Sequence, residues 1–386
     1  MSWIIYFTIN IICGFLDVVK VRPQRLLLFI ASINIIIFIG FRYKLGVDWA
    51  VYEDLFVGRV VYVPFEYGYV LLNNLFSFMG IGFWAWVFFI TLFSLYTFIR
   101  FYKEFSPTYV FCLTFYFILS FAFNIEALRQ IIAVAITLWA AIYYMNDKKI
   151  KSLIFVICAS FMHVSALFLL LIPLIDNKIF RNMALPTIFI GAILAALSVY
   201  PIDVLINIVS SYISNPYIYK IKIYTLGSNV SSILTLNLVF KLIILAFLYI
   251  NRKSIIQNSK VKISNNVFNT IVSLFYLMLV VDIFLGKYGS IRLRLDEYLN
   301  PYFILILSFI IIYAKNKVYS QLMIVVIICY SLSNILKFSQ NDYFIKQFRY
   351  SNSLVNYFNP DHSHDLKRER EVIAHWLERD KIIIDE

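Results

Sequence analysis

The chain consists of long apolar runs that are separated by short polar loops. Runs such as 26–41, 83–99 and 301–313 contain no charged residue. A helix needs about 20 predominantly apolar residues to cross a bilayer, and a soluble core would not require so many runs of this kind. The pattern therefore predicts an all-α polytopic membrane protein.

Lys and Arg collect in the loops between alternate runs. These loops contain Lys20, Arg22 and Arg25; Arg100 and Lys103; Lys148, Lys149 and Lys151; Lys178 and Arg181; Arg252, Lys253, Lys260 and Lys262; and Lys315 and Lys317. Because short cytoplasmic loops carry the positive excess, we place all of them inside. The segments left outside are 42–80, 124–128, 200–230, 287–294 and the tail after 338. We expect about ten crossings, with both ends outside.

The run 152–175 does not fit this alternation, because basic loops flank it on both sides. Its halves, 152–162 and 164–175, are each too short to span about 30 Å at about 1.5 Å per residue. We therefore favour a broken, re-entrant helix pair with His163 at the bend. A single crossing that breaks the charge rule is the alternative.

The composition excludes a water-soluble protein, since 61% of the 386 residues are hydrophobic and 15% are charged. No Gly-rich linker divides the chain, so we interpret 1–338 as one transmembrane domain. The segment 339–386 is expected to be an outer-face tail. Within it, 365–381 suits a short amphipathic helix lying against the membrane or the outer loops, with its charge run as a solvated face.

Ionisable residues gather at the outer ends of the runs, where each is costly unless it meets a partner or a water-filled cavity. They are Arg42, Asp48, Glu66, Arg129, His163, Arg292 and Arg294. The positive-inside rule should remove Arg from an outer face unless something anionic binds there. Their joint placement predicts an anionic ligand on the outer side.

Each residue also has a simpler interpretation. Arg42 can snorkel from a helix end, or pair with Asp48 and merely order the loop. Glu126, three residues before Arg129, can be its ion-pair partner. A lone His163 on an apolar face is often a core histidine bonded to a carbonyl. These alternatives stay open in the sequence.

Two basic residues further along the chain, Lys241 and Arg294, also have more than one interpretation. Lys241 lies within an apolar run and can form a buried pair with Asp282, or face a lipid head group. Arg294 can pair locally with Asp296 or Glu297.

Five stretches resemble the ordered motifs of the EpsG-like family of Wzy-type polysaccharide polymerases. In order, they are "FRYKLGVDWAVYEDLF", "EYGYVLLNNLF", "LRQIIAVAITLWAA", "ASFMHVSALFLL" and "IRLRLDEYLNPYFIL". Together they extend from residue 41 to about residue 305. No single stretch is specific, but their order along most of the chain is.

The resemblance implies a bacterial inner-membrane glycosyltransferase with a GT-C-like fold and an active site facing the periplasm. Such enzymes transfer a growing glycan from undecaprenyl diphosphate onto a lipid-linked repeat unit, making O-antigen or related polysaccharide. It implies membrane lipids and a chain-length regulator as partners, and neither nucleotide sugar nor nucleic acid. We expect no cofactor and no metal, because clustered Arg can stabilise the leaving diphosphate.

This reaction gives the outer residues their expected roles. Guanidinium groups bind diphosphate oxygens by bidentate contacts, which suits Arg42, Arg129, Arg292 and Arg294, with Lys44 assisting. The acceptor hydroxyl must lose its proton, so a general base is required. Asp48 is the leading candidate, because Gly46 allows a tight reversal before it, and His163 and Glu66 are the alternatives.

Aromatic residues near the outer loops can stack on sugar rings, although most aromatics in a membrane protein form interfacial belts. The candidates are Trp49, Tyr52, Tyr67, Tyr69 and Tyr288. The segment 200–230 is expected to form an interfacial helix or lid. Two other functions remain: an O-antigen-ligase-like transferase, and a flippase for the lipid-linked oligosaccharide. A flippase should carry polar residues along the full membrane depth. Here they gather at the outer ends, and only Lys241 favours a flippase.

Overall fold

The computed structural model describes residues 2–60, 65–204, 208, 235–259 and 263–385. The chain divides into two units, one made of 1–167 with 321–386 and the other of 168–320. The segment 200–230, expected to form a lid, lies outside the described residues except for 200–204 and 208.

The first unit is helical. Its helices are α1 (Ser2–Val18), α2 (Gln24–Ile35, continued by a π turn over Ile36–Gly40), α3 (Trp49–Phe56), α4 (Tyr67–Phe78), α5 (Phe83–Phe105), α6 (Tyr109–Leu119), α7 (Phe121–Glu126), α8 (Leu128–Met145) and α9 (Lys149–Met162). In its described part, strand-type pairing is limited to one isolated bridge between Arg42 and Asn352.

Helices α1, α2, α5, α6, α8 and α9 pack along one another in this unit. The end of α1 is joined to the start of α6 by Asp17, whose Oδ2 accepts hydrogen bonds from the backbone N–H groups of Val110 and Phe111 at 3.0 Å. A carboxylate at a helix N-terminus satisfies free N–H groups and complements the helix dipole. This contact fixes where α6 begins relative to α1.

The helix break expected at His163 is confirmed. Helix α9 ends at Met162, His163 is extended with φ −158° and ψ 121°, and a 3₁₀ helix follows over Val164–Leu171. Helix α10 (Ile172–Ile175) continues the run. Whether the two halves form a re-entrant pair stays a prediction.

The second unit contains α11 (Lys178–Ala196), α12 (Leu236–Ser259), α13 (Asn265–Phe284) and α14 (Gly289–Tyr313). Of the two interpretations of Lys241, the buried pair with Asp282 is confirmed, with Nζ donating to Oδ2 at 2.7 Å. Lys241 also donates to Asp296 at 3.0 Å. Two carboxylates therefore neutralise this buried ammonium group, as burial of a charge requires.

The remaining helices follow the second unit in the chain: α15 (Lys317–Gln340), α16 (Asp342–Gln347), α17 (Ser353–Phe358) and α18 (His362–Asp385). Most of α15 and all of the others belong to the first unit. Helix α18 has 24 residues and is longer than the short amphipathic helix expected over 365–381.

Six helices of the described chain are long and apolar enough to cross a membrane: α5, α8, α11, α13, α14 and α15. Four shorter apolar helices cover Ser2–Val18, Gln24–Gly40, Tyr109–Leu119 and Val164–Ile175. The all-α polytopic class is therefore supported, whereas the count of about ten crossings and the GT-C-like fold stay predictions.

Helix α18 packs on the loop that follows α2, through a cluster of Val47, Trp49 and Val372. The interpretation of its charge run as a solvated face is wrong for Arg368, which is 2% exposed. Arg368 donates to the carbonyl oxygens of Lys44 and Gln347, both at 2.7 Å. A guanidinium has five donors, so it can bond to two backbone segments at once.

Candidate functional site

Three helix ends bring Glu66, Arg129 and His163 together in the first unit. Glu66 immediately precedes α4, Arg129 is the second residue of α8, and His163 follows α9. The Glu66 carboxylate accepts from Arg129 Nη1 through Oε2, and its Oε1 lies 2.7 Å from His163 Nδ1. The backbone N–H of Val164 donates to the same Oε1 at 3.1 Å.

Glu66 is held as an ionised carboxylate. Burial alone would raise its pKa, but the hydrogen bond from His163 and the charge of Arg129 outweigh burial and lower the pKa to about 2. Such a carboxylate is a weak base. Its position favours a role in orienting Arg129 and His163 over the expected role as proton acceptor.

The same contact fixes the tautomer of His163. An ionised carboxylate can only accept hydrogen bonds, so His163 Nδ1 carries the proton that faces Glu66. In the neutral ring, the lone pair is then on Nε2. His163 can therefore act as a base through Nε2, with Glu66 holding the ring at Nδ1.

Arg129 lies against aromatic rings as well as beside Glu66. Its guanidinium carbon is 3.9 Å from the centre of the Phe65 ring and 5.9 Å from that of Tyr52. The Tyr52 ring is in turn 5.6 Å from the ring of Tyr69. Two of the expected sugar-binding residues, Tyr52 and Tyr69, thus surround a cation predicted to bind diphosphate.

The alternative that pairs Arg129 with Glu126 is wrong. Glu126 is the last residue of α7, and Ala127 breaks the helix with φ −89° and ψ 61° before α8 begins. The spacing of three residues therefore does not place the two side chains on one helical face. Glu126 Oε1 instead accepts from Val47 N at 3.2 Å and from the Tyr343 hydroxyl.

Arg42 is buried, with 3% of its surface exposed. Its Nη1 donates to Ile39 O at 2.6 Å and to Thr91 Oγ1 at 3.3 Å. Both simpler interpretations are wrong, because a snorkelling Arg keeps its head in water and because Arg42 bonds to these groups and not to Asp48. It therefore carries a buried charge that no carboxylate of the described residues neutralises.

Hydrogen-bond donors near this cluster have no acceptor among the residues that the structure describes. They are Arg42 Nη2 and Arg129 Nε, both buried. Burial raises the pKa of Tyr69, while the charges of Arg129 and Arg42 lower it in part, so both cations lie near this hydroxyl. Buried donors normally find acceptors, and an anion would supply them.

The loop between α2 and α3 makes the expected reversal. Gly46 has φ +75° and Lys44 has φ +49°, and a Cβ at Gly46 would lie 2.6 Å from Glu126 Oε1. Only Gly fits both the backbone angle and this close approach. Lys44 lies 2.8 Å from Glu369 and 3.7 Å from Asp365, so two carboxylates already balance the charge expected to assist diphosphate binding.

Asp48 follows this reversal and directly precedes α3. It lies close enough to Glu126 for its charge to act there: burial, with a contribution from Asp48, raises the pKa of Glu126 to about 7, against the hydrogen bonds from Tyr343 and Val47. The structure thus gives Asp48 a second carboxylate as neighbour. Its role as base stays a prediction.

The other expected site residues are placed differently. Trp49 is buried, and its ring faces the Lys44 ammonium at 5.1 Å, whereas Tyr67 is 88% exposed. Arg292 and Arg294 belong to the second unit. Arg292 Nη1 is buried 3.7 Å from Asp282 Oδ1, and Arg294 is exposed. Their role in diphosphate binding stays a prediction.

Phe65, Glu126 and Arg368 contribute to this region although the sequence did not single them out for such roles. Phe65 is adjacent to Glu66, and its aromatic ring beside an acidic residue was the available signal. The sequence contained no signal for the roles of Glu126 and Arg368, because their partners are distant in the chain. Among the described residues, no group of three His, Cys, Asp or Glu side chains could hold a metal ion.

Comparison with known proteins gives one match. A sequence model of the EpsG family matches residues 25–358, a range that contains Arg42, Glu66, Arg129 and His163. No curated protein and no solved structure matches the chain.

Proposed function

We propose that this chain, which belongs to the EpsG family, is a membrane glycosyltransferase that polymerises lipid-linked oligosaccharide repeat units. Family membership suggests a protein of the polysaccharide-polymerase type, and the membrane-length helices suit a lipid-borne substrate. The proposed substrates are undecaprenyl-diphosphate-linked repeat units. They would be joined into O-antigen or a related polysaccharide at the periplasmic face of the bacterial inner membrane.

The observation that carries the proposal is the Glu66 carboxylate held between Arg129 and His163. One ionised carboxylate positions both a guanidinium and an imidazole, which are the two groups that transfer from a diphosphate requires. The guanidinium stabilises the charge that develops on the leaving group. The imidazole removes the proton of the attacking hydroxyl.

In the proposed reaction, the acceptor hydroxyl gives its proton to His163 Nε2 while its oxygen attacks the anomeric carbon of the donor. The bond between that carbon and the diphosphate oxygen breaks, and the diphosphate leaves with the electron pair. Arg129 and Arg42 receive this charge, since both have donors that no described residue accepts. No nucleotide sugar is needed, because the glycan is already activated.

Asp48 is the second candidate for the base. It lies in the loop beside Glu126, whereas the contact with Glu66 orients His163, and this contact favours His163. The two assignments predict opposite results for two single substitutions, His163→Asn and Asp48→Asn.

The test is incubation of the purified protein in lipid nanodiscs with its lipid-linked repeat unit as the sole substrate. The wild type is expected to form a ladder of polymers without nucleotide sugar. His163→Asn should lower the polymerisation rate by about two to four orders of magnitude. Asp48→Asn should retain most of the wild-type rate. The reverse pattern would assign the base to Asp48, and no ladder from the wild type would refute the proposed function.

The same assay separates the alternatives. A flippase needs no base, so it would translocate the substrate without forming any ladder, and His163→Asn would leave translocation intact. A ligase-like transferase would use a different acceptor and would form product only when that acceptor is added.

A further inference from the structure

A groove lies between α4, α5 and α8 in the first unit, with a volume of about 530 Å³. Its walls include Leu72, Phe76, Phe89, Phe93, Ile132 and Ile136. A volume of this size is typical of sites for small molecules. Phe89 and Phe93 are 43% and 40% exposed, so the groove opens at the side of the helices that a membrane would surround.

The groove begins next to the charged cluster. Ile132 and Ile136 follow Arg129 on α8 by three and seven residues, which places them on its face at about 5 Å and about 10 Å along the helix. Leu72 and Phe76 follow Glu66 by six and ten residues, or about 9 Å and 15 Å of α4. The groove therefore runs along the helices away from Glu66 and Arg129.

The groove also adjoins Arg42. A small cavity beside the Arg42 side chain is lined by Thr91, Ser94, Asn124 and Ile90, and Ile90 is also a wall of the groove. Ile90 thus borders both the apolar groove and the cavity beside the buried guanidinium. A positive charge next to an apolar groove is the arrangement that would bind an amphiphile with an anionic head group.

The walls are fixed by specific contacts. Trp86 Nε1 donates to Asn73 Oδ1 at 2.8 Å and thereby joins α5 to α4. The rings of Phe76 and Trp86 lie with their centres 3.9 Å apart. A preformed groove binds an apolar chain without the entropic cost of ordering its own side chains.

We propose that this groove receives the polyprenyl chain of the lipid-linked substrate while Arg42 and Arg129 bind its diphosphate. The inference rests on the proposed function and adds the place where the lipid is bound. Two guanidinium groups with donors to spare match the several oxygens of a diphosphate. The apolar walls bury the first isoprenoid units and thereby hold the anomeric carbon at a fixed distance from His163.

The test uses two leucine substitutions at neighbouring positions of α4. Leu72 lines the groove, so Leu72→Trp fills it, whereas Leu71 is 68% exposed and does not line it, so Leu71→Trp is the matched control. The probes are a long-chain polyprenyl diphosphate, inorganic diphosphate as the head alone, and phosphatidylglycerol as a competing anionic lipid. Binding is measured on the full chain in nanodiscs.

We expect Leu72→Trp to weaken binding of the polyprenyl diphosphate about tenfold, equal to about 1.4 kcal/mol, and to leave binding of inorganic diphosphate unchanged. Leu71→Trp should behave as the wild type, and phosphatidylglycerol should compete poorly. Equal affinities of Leu72→Trp and Leu71→Trp, or displacement by phosphatidylglycerol at the same concentration as by polyprenyl diphosphate, would overturn the inference.

A second measurement does not depend on the folding of Leu72→Trp. A polyprenyl diphosphate with a photoreactive group in its tail should label α4, α5 or α8 of the wild type. Labelling of the separate cavity of about 460 Å³ that includes Trp3, Phe7 and Phe338 would overturn the groove assignment. Ladder formation by the wild type is scored separately, so the groove can fail while the proposed function stands.

Discussion

At the scale of single residues, Arg129 makes contacts that a lysine cannot reproduce. Its planar group stacks on Phe65 at 3.9 Å and bonds Glu66 through Nη1, which leaves Nε for another acceptor. A lysine supplies a compact charge without this planar fork. The geometry of the guanidinium, and not its charge alone, therefore determines what the site can bind.

We predict that Arg129→Lys lowers the polymerisation rate about 10²- to 10³-fold, the usual effect of removing one donor to a developing oxyanion. The variant should still insert and fold. The control is Arg100→Lys on α5, where Arg100 is 44% exposed and pairs with Glu104. Equal ladders from wild type and Arg129→Lys would contradict the role given to Arg129.

Glu126 gives the outer loop a dependence on pH. Burial and the charge of Asp48 raise its pKa from 4.5 to about 7. Because the folded state holds this proton more tightly than the unfolded state, the stabilisation is full below pH 4.5 and is lost as the pH rises through about 7. At about 1.4 kcal/mol per pKa unit, the change is at most about 3.5 kcal/mol.

We predict that the unfolding temperature of the wild type falls between pH 5 and about pH 8, and that Glu126→Gln falls less over the same range. A glutamine oxygen can still accept from Val47 N and the Tyr343 hydroxyl, so the substitution removes the titration and keeps the contacts. Thermal unfolding in one detergent at several pH values is the measurement. Identical pH profiles of the two proteins would exclude Glu126 as the titrating group.

The residue scale also shows what the sequence can and cannot predict about the site. Glu66, Arg129 and His163 were all candidates, because each is an ionisable residue at the end of an apolar run. Their mutual contacts were not predictable, since Glu66 is 63 residues from Arg129 and 97 from His163. Tertiary packing decides which partner a charge meets, and the helix break at Ala127 removed the local alternative.

At the scale of elements, α18 and the loop 42–49 form one structure. Arg368 connects them by donating to Lys44 O through both Nε and Nη2, at 3.0 and 2.7 Å. The Tyr43 hydroxyl donates to Asp365 at 3.0 Å. The loop that carries Asp48 is thereby held by a helix more than 300 residues further along the chain.

We predict that Arg368→Gln accelerates amide hydrogen exchange in the loop 42–49 and in α16 about 10- to 100-fold, because several hydrogen bonds from a charged donor are lost. The matched control is Arg370→Gln, at an exposed position two residues further on. Hydrogen exchange followed by mass spectrometry resolves both segments. If the two variants exchange alike, α18 does not hold the loop through Arg368.

The elements were predictable where local chemistry decides them. The basic loops on both sides of 152–175 predicted the break at His163, and Gly46 predicted the reversal before Asp48. The burial of Arg368 was not predictable, because its neighbours are charged and the run reads as a solvated face. Likewise, the pair of Lys241 with Asp282 was one of two alternatives in the sequence, and Asp296 as its second carboxylate was not among them.

At the scale of the whole molecule, the EpsG match over 25–358 includes residues of both units. The proposed function requires that the cluster of Glu66, Arg129 and His163 face the outer side, where lipid-linked repeat units would be joined. The charge rule gives the same orientation, because it places the basic residues before α9 inside. Helix α9 has 14 residues, so its ends are about 20 Å apart.

The two ends of α9 allow this orientation to be tested. Ile150 lies in the first turn of α9, Val164 lies two residues beyond its last residue, and the two are 78% and 53% exposed. We predict that an impermeant maleimide labels Val164→Cys but not Ile150→Cys in spheroplasts, and Ile150→Cys but not Val164→Cys in inverted vesicles. The exposed native cysteines, Cys158 and Cys329, are first replaced by Ser.

The result bears on the reaction, because activated lipid-linked glycans and nucleotide sugars would be met on opposite sides of the membrane. Labelling of Val164→Cys from the cytoplasmic side would place His163 where the proposed donor is absent, and the orientation and the proposed function would fail together. Labelling of both positions from one side would contradict the charge rule for α9 alone. In that case α9 would not separate the two faces, and the placement of its basic end inside would be wrong.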